Sequence, residues 1–120
     1  MYVCGVTPYD ALHIGHARAF MAYDALRRVL EWRGLEVLHV QNVTDVEDKI
    51  IERARQTGQE PLALAQHFSD EALEDTRMLN ILPAHQYPRV STSMDAIVEM
   101  VQQLEQKGAA YARGGDVYYD

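Results

Sequence analysis

The chain has 120 residues, 48% of them hydrophobic, and its 18 acidic against 11 basic side chains leave a net charge of −7. That size suits one domain or part of a larger one, and the negative balance is the wrong sign for a broad nucleic-acid footprint, so a nucleic-acid partner would dock mostly elsewhere. A single Cys excludes an internal disulfide framework and fits a reducing compartment.

No run of about 18 apolar residues is present to span a membrane, and "MYVCGVTPYD" lacks the basic start and long apolar centre of a signal peptide. A cytoplasmic address is expected. "MYVC" is short and apolar and ends at Gly5, which reads as a first buried strand. From about Gly15 to Arg33 the pattern turns helical, with Ala19, Ala22, Leu26, Val29 and Leu30 on one face and Gly34 as the stop. "LEVLHVQ", Leu35 to Gln41, alternates and reads as a second strand. Strand, helix and strand with short connections make a βαβ unit, whose strands should be parallel.

The polar "NVTDVEDK" follows, with Thr44 or Asp45 as a helix cap, and a helix should run to about Gln56 and end near Gly58. Pro61 opens the next helix at the position proline favours, with Leu62, Ala65, Phe68, Ala72 and Leu79 inward. "NILPAHQYP" breaks the pattern, and Tyr87 to Val90 is a weakly signalled third strand. "STSMD" introduces a helix from about Met94 to Lys107 with Met94, Ile97, Val98, Val101 and Leu104 inward, and Gly108 ends it. "AAYARGGDVYYD" reads as a hairpin around Gly114 and Gly115. Such a hairpin is marginal alone, so the sequence is expected to be cut from a longer one at both ends.

Chemistry concentrates in "CGVTPYDALHIGHARAF". In open α/β sheets ligands bind at the carboxyl ends of strands. Cys4 and Gly5 end the first strand, while Asn42, Thr44 and Asp45 follow the second, so both clusters should face one crevice. The first helix begins there and offers unpaired N–H groups that favour an anion. His13 and His16 could aim imidazoles at a phosphate, and Gly15 lets a base or backbone approach closely. The plainer readings are two surface histidines, a buried Cys4 and a simple helix start at "TDVEDK". Metal on the His pair alone is not expected, because helical His pairs that share a metal are commonly four apart. His39, His67 and His85 show no partner pattern.

"HIGH" at His13 to His16, followed by "AR", resembles the signature of class I aminoacyl-tRNA synthetases. The segments "MYVCGVTPYDALHIGHAR", "HVQNVTDVEDKIIERA", "NILP", "PRV" and "GAAYARGGDVYYD" stand in the order found in cysteinyl-tRNA synthetases, and the resemblance covers essentially the whole chain. Two departures are visible: "VTPYD" in place of the commoner "PTVYD", and Glu47 where Asp is usual. A "TPYD" form also occurs in the cysteine ligases of mycothiol synthesis, but those usually read "DDPLLERA" where this chain has "EDKIIERA", which favours the synthetase.

The resemblance implies an incomplete Rossmann-like (HUP-type) α/β parallel sheet with flanking helices. Residues 1–107 would be the first half of the catalytic domain, and residues 108–120 the start of the connective insertion, entered by a β-hairpin. It implies condensation of cysteine with ATP, brought as its magnesium complex, to cysteinyl-adenylate, and transfer of the cysteinyl group to tRNA(Cys). His13 and His16 would be the catalytic pair, stabilising charge at the α-phosphorus. Together with Ile14 and Gly15 they would bind ATP. Gly5, Thr7 and Thr44 would line the amino-acid pocket. Cys4 would be one ligand of a zinc site left incomplete in this chain, because the other ligands, the "KMSKS" loop and the anticodon-binding helices lie beyond Asp120 in the family. The chain alone should therefore be inactive, and tRNA should dock mostly outside it. The alternatives are a mycothiol-type cysteine ligase using the same adenylate, and a βαβ module that binds nucleotide without catalysis.

Overall fold

The computed structural model describes residues 1–120 and orders them as β1 (Tyr2–Val6), α1 (Ile14–Trp32), β2 (Val40–Val43), α2 (Asp48–Thr57), α3 (Pro61–Met78), α4 (Met94–Gln106), β3 (Ala110–Arg113) and β4 (Asp116–Tyr119). Two compact units result, Met1–Val90 and Ser91–Asp120. This division precedes α4, whereas the expected domain boundary at 107/108 follows it.

In the first unit β1 and β2 pair in parallel, with Tyr2 opposite Val40, Val3 opposite Gln41 and Val6 opposite Val43. The register is irregular between Val3 and Val6. The second strand starts later than the sequence pattern suggests. Leu35 to His39 lie outside any strand, and the paired residues begin at Val40, whose N–H donates to Met1 O at 2.9 Å. The third strand is reduced to single parallel bridges, Val40 to Gln86 and Val43 to Arg89. Gln41 N–H donates to Gln86 O at 3.0 Å and Val43 N–H to Pro88 O at 2.8 Å. Pro88 accepts but has no N–H to return, so a continuous ladder does not form.

Helix boundaries follow local chemistry. Gly34 (φ 83°) follows the end of α1, and Gly58 (φ 67°) caps α2 in the left-handed conformation, its N–H donating to Ala54 O. Pro61 opens α3, and the Glu60 carboxylate accepts from Ala63 N–H at 2.7 Å. The cap of α2 is Glu47, whose carboxylate accepts from Lys49 N–H at 2.8 Å, not Thr44 or Asp45. Asp45 is instead buried and pairs with Arg89 at 3.5 Å, tying the loop after β2 to the third extended segment.

Inward faces differ from the expected ones. Ile50 and Ala54 of α2 close on Leu64 and Ala65 of α3, with Phe68 packed alongside. Full burial of Ile50 and Leu64 contributes about 2–3 kcal/mol each. Leu62 and Leu79 are exposed, and Ser69 takes an inward position by donating its hydroxyl to Ala65 O at 2.7 Å. On α1 the buried residues are Phe20 and Arg27. Ala22, Leu26 and Val29 face outward, and only Ala19 and Leu30 of the expected face are half-buried. Arg27 can turn inward because Glu31, Pro83 O and His85 all meet its guanidinium.

In the second unit α4 packs on β3. Val101 and Leu104 are half-buried, while Met94, Ile97 and Val98 are exposed. The hairpin forms as expected, with Arg113 paired to Asp116 and positive φ at both Gly114 (66°) and Gly115 (97°). That double positive φ is what a two-residue hairpin turn needs, and glycine supplies it without strain. No helix of the molecule is long and apolar enough to cross a membrane.

Candidate functional site

Backbone geometry at the carboxyl end of β1 brings the two clusters together. Gly5 lies in the irregular stretch of the ladder, where a Cβ would sit 1.6 Å from Asn42 O, so no side chain fits. In place of a regular ladder bond, Gly5 N–H donates to Asn42 Oδ1 at 2.9 Å, and Asn42 Nδ2 donates to Thr44 Oγ1 at 3.0 Å. Thr44 N–H donates to Val6 O at 2.9 Å. Gly5 and Thr44 are thus bound into one wall through Asn42, and Cys4, beside Gly5, is exposed.

The loop then turns over the start of α1. Val6, Thr7, Asp10, Leu12, His13 and His16 are among the residues lining a small cavity of about 150 Å³. Thr7 is therefore brought to the histidines. Ile14 is 85% exposed and stands outside that lining.

The histidine pair is organised by the helix end itself. His13 is the N-cap of α1, and its Nδ1 accepts from Gly15 N–H at 3.1 Å. His16 Nδ1 accepts from His13 N–H at 3.2 Å, closing a capping box made of imidazoles. Each bond fixes a tautomer. A nitrogen that accepts a backbone N–H carries no proton, so in both neutral rings the proton sits on Nε2. The rings stack with centroids 4.0 Å apart. The pair thus presents two Nε2–H donors beside the helix N-terminus without either ring having to be charged. Partial burial, and then repulsion from His13, push the pKa of His16 below its usual value, which favours the neutral donor. Gly15 is confined by the same arrangement, since a Cβ there would meet His13 Cε1 at 2.8 Å.

Metal chemistry does not close on these residues alone. Cys4 is the one thiol, both histidine Nδ1 atoms are spent on backbone donors, and no group of three or more His, Cys, Asp or Glu able to hold a metal lies in residues 1–120. A tetrahedral zinc site needs more ligands than this.

Sequence spacing missed a second histidine cluster. His39 is buried with neither ring nitrogen hydrogen-bonded. His39 N–H donates to His85 Nδ1 at 2.9 Å, and Arg27 Nη2 lies 3.2 Å from His85 Nε2. A neutral imidazole has one acceptor nitrogen for those two donors, so one of the two bonds goes unmade. The pairing spans 46 residues, which no local pattern could reveal.

A parallel strand pair, a close glycine contact between its strands and a helix start bearing two histidines at the strands' carboxyl edge define an α/β domain whose candidate ligand site lies where such sheets bind ligands. The model of the family "tRNA synthetases class I (C) catalytic domain" matches residues 1–120, and the chain belongs to that family. It is 50% identical over 119 residues to the cysteine–tRNA ligase of Trichodesmium erythraeum, covering 99% of this chain and 24% of that protein. With the cysteine–tRNA ligase of Pyrococcus abyssi the identity is 49% over 120 residues, covering 100% and 25%. The chain thus spans about a quarter of the length of these curated relatives. Among solved structures it is similar to methionyl-tRNA synthetase of Mycobacterium tuberculosis bound by methionyl-adenylate, with a TM-score of 0.81 and 25% identity over 92% of this chain and 22% of that one. It is also similar to the LeuRS–tRNA–LeuAMS ternary complex of Agrobacterium radiobacter K84, with a TM-score of 0.78, 26% identity and coverage of 92% and 15%. The Rossmann-like class expected from the sequence is therefore the class of this fold.

Proposed function

We propose that the protein of which residues 1–120 form a part is a cysteine–tRNA ligase. It would join cysteine to ATP as cysteinyl-adenylate and pass the cysteinyl group to tRNA(Cys). In the first step a carboxylate oxygen of cysteine attacks the α-phosphorus, and the bond to pyrophosphate breaks. In the second a terminal hydroxyl of the tRNA attacks the carbonyl carbon, and AMP leaves. The observation that carries this reading is the imidazole capping box, two stacked rings with both Nδ1 atoms spent on backbone N–H groups. Their Nε2–H groups, beside the positive end of the α1 dipole, stabilise negative charge as it builds on the triphosphate, an electrostatic role that transfers no proton. Against the sequence expectation, the first-turn N–H groups of Gly15, His16 and Ala17 are already spent on His13 and are not open to an anion. Ile14 and Gly15 supply backbone beside the nucleotide.

Gly5, Thr7 and Thr44 line the amino-acid side of the crevice in this reading. Cys4 supplies one zinc ligand, and the remaining ligands come from outside residues 1–120. Residues 1–107 are the first half of the catalytic domain, and residues 108–120 begin the connective insertion. A reducing compartment suits the exposed Cys4 thiol, and we place the activity in the cytoplasm. Relatives at about half identity are named cysteine–tRNA ligases, which favours this reading over a mycothiol-type ligase or a non-catalytic nucleotide module.

ATP–pyrophosphate exchange by the intact protein tests the reading. Exchange should depend on cysteine and should not proceed with serine, and tRNA(Cys) should accept the activated group. Cysteine-dependent exchange with an amino sugar, and not tRNA, as acceptor would convert the assignment to the mycothiol type. Nucleotide binding with no exchange would leave the non-catalytic module.

A further inference from the structure

Asn42 carries no role in the reading above, yet its side chain links Gly5 of β1 directly to the Thr44 hydroxyl. Its orientation is not arbitrary. Gly5 N–H can only donate, so the Asn42 atom 2.9 Å from it must be the carbonyl Oδ1. The other end of the amide is then Nδ2, which donates to Thr44 Oγ1 at 3.0 Å. A hydroxyl that accepts from an N–H turns its own hydrogen away from that donor. The backbone on either side is pinned as well, by Thr44 N–H donating to Val6 O and by the close approach of Gly5 to Asn42 O. The chain Gly5 N–H to Asn42 to Thr44 therefore runs in one direction, and its free end is the Thr44 O–H.

We propose that Asn42 is a positioning residue of the amino-acid pocket, whose side-chain amide holds the Gly5 end of β1 against Thr44 and makes the Thr44 hydroxyl a hydrogen-bond donor to an electron-rich atom of the amino-acid substrate. This rests on the cysteine-activating reading of the same crevice. The partner atom has an available lone pair and is either the sulfur or the carboxylate. A pocket wall built this way selects for that atom, because a ligand without it leaves a directed donor unpaired.

The test uses the intact protein and ATP–pyrophosphate exchange. Asn42→Asp keeps the acceptor for Gly5 N–H and removes the donor, so Thr44 turns its hydrogen back to the new carboxylate. KM for cysteine should rise about tenfold to a hundredfold, with KM for ATP held within about twofold. Thr44→Val should do the same, Thr44→Ser should restore near-normal KM, and the double variant N42D/T44V should be no worse than T44V, since both changes remove one interaction. Cysteamine, which lacks the carboxylate, and 2-aminobutyrate, which lacks sulfur, serve as competitive inhibitors. N42D should weaken only the one that retains the accepting atom.

Multiplying effects in the double variant, or a KM for cysteine unchanged in N42D while the unaltered protein exchanges normally, would overturn the role of Asn42 alone. No exchange by the unaltered protein would remove the cysteine-activating reading and this inference with it. Should N42D fail to fold, the comparison of Thr44→Val with Thr44→Ser decides. A KM difference upholds the directed hydroxyl, and equal KM values overturn it.

Discussion

Two histidine pairs sit in the first unit, and they are built in opposite senses. His13 and His16 stand at a helix start with each Nδ1 given a backbone donor, which leaves the proton of each neutral ring on Nε2. His39 and His85 lie with the guanidinium of Arg27, where His39 has no ring partner and His85 meets more donors than it can accept. The first pair spends its local hydrogen bonds on fixing the tautomer of each ring, which is what the proposed ligand role needs. The second spends a charged side chain, the His85 ring and the His39 backbone N–H on joining α1 to the segment before the third extended stretch. Density of histidine thus says little by itself. Under the proposed function, what separates the two pairs is which ring atoms are already bonded within the protein.

The largest expected effect is at the wall formed by Gly5, Asn42 and Thr44. Gly5→Ala would place a methyl group 1.6 Å from Asn42 O, and that neighbour is backbone, which cannot rotate away. The substitution should destabilise the protein by about 3 kcal/mol or more, or force the turn open. Thermal melts beside cysteine-dependent exchange would show it. A melting temperature within a degree or two of the unaltered protein would mean that the turn yields and that the tight wall is not required.

Next in size, His16→Ala should slow exchange about a hundredfold at saturating cysteine, the usual consequence of losing one donor to developing charge. His13→Ala should do the same and also lose a cap contribution of about 1 kcal/mol in stability. His85→Ala should leave the exchange rate nearly unaltered. An equal loss of rate at His85 would erase the distinction between the pairs.

Arg27→Met tests the second pair directly. It removes bonds to Glu31 and Pro83 O and relieves His85 of its surplus donor. The net loss of stability should be about 2 kcal/mol, read from denaturant midpoints, with exchange kinetics preserved. A neutral or stabilising result would show that the donor conflict at His85 outweighs the other bonds.

Which of these features the sequence reveals depends on how local their causes are. Helix ends were legible because Gly34, Gly58, Pro61 and Gly108 act on their own backbone. The hairpin was legible because Gly114 and Gly115 permit its turn. The juxtaposition of Gly5 with Thr44 followed from strand order alone. Inward faces were not legible. The apolar stripe of α1 through Leu26 and Val29 is outward, while Arg27 is drawn in by partners 56 and 58 residues away. Asn42 gains its importance only through the irregular register opposite it.

Acidification gives the smallest effect and the finest comparison. Burial first, then the charges of Arg27, His85 and the amino terminus, hold the pKa of His39 below its usual 6.5, with Asp24 opposing. The unfolded chain therefore takes up the His39 proton first as pH falls. Stability from this residue is complete above about pH 6.5 and is lost progressively between that value and the lower folded-state pKa, by about 1.4 kcal/mol for each unit separating them. His16 is shifted in the same direction, so part of the acid sensitivity belongs to the other pair. His39→Phe removes the buried titration and leaves that of His16, and H16F does the reverse. Midpoints measured from pH 7.5 down to 5 should flatten more in H39F than in H16F, because His39 is buried more deeply and its ring nitrogens have no partners. Equal flattening would place the two histidines in equivalent surroundings, and an unaltered slope in H39F would mean that the buried ring reaches water before the protein unfolds.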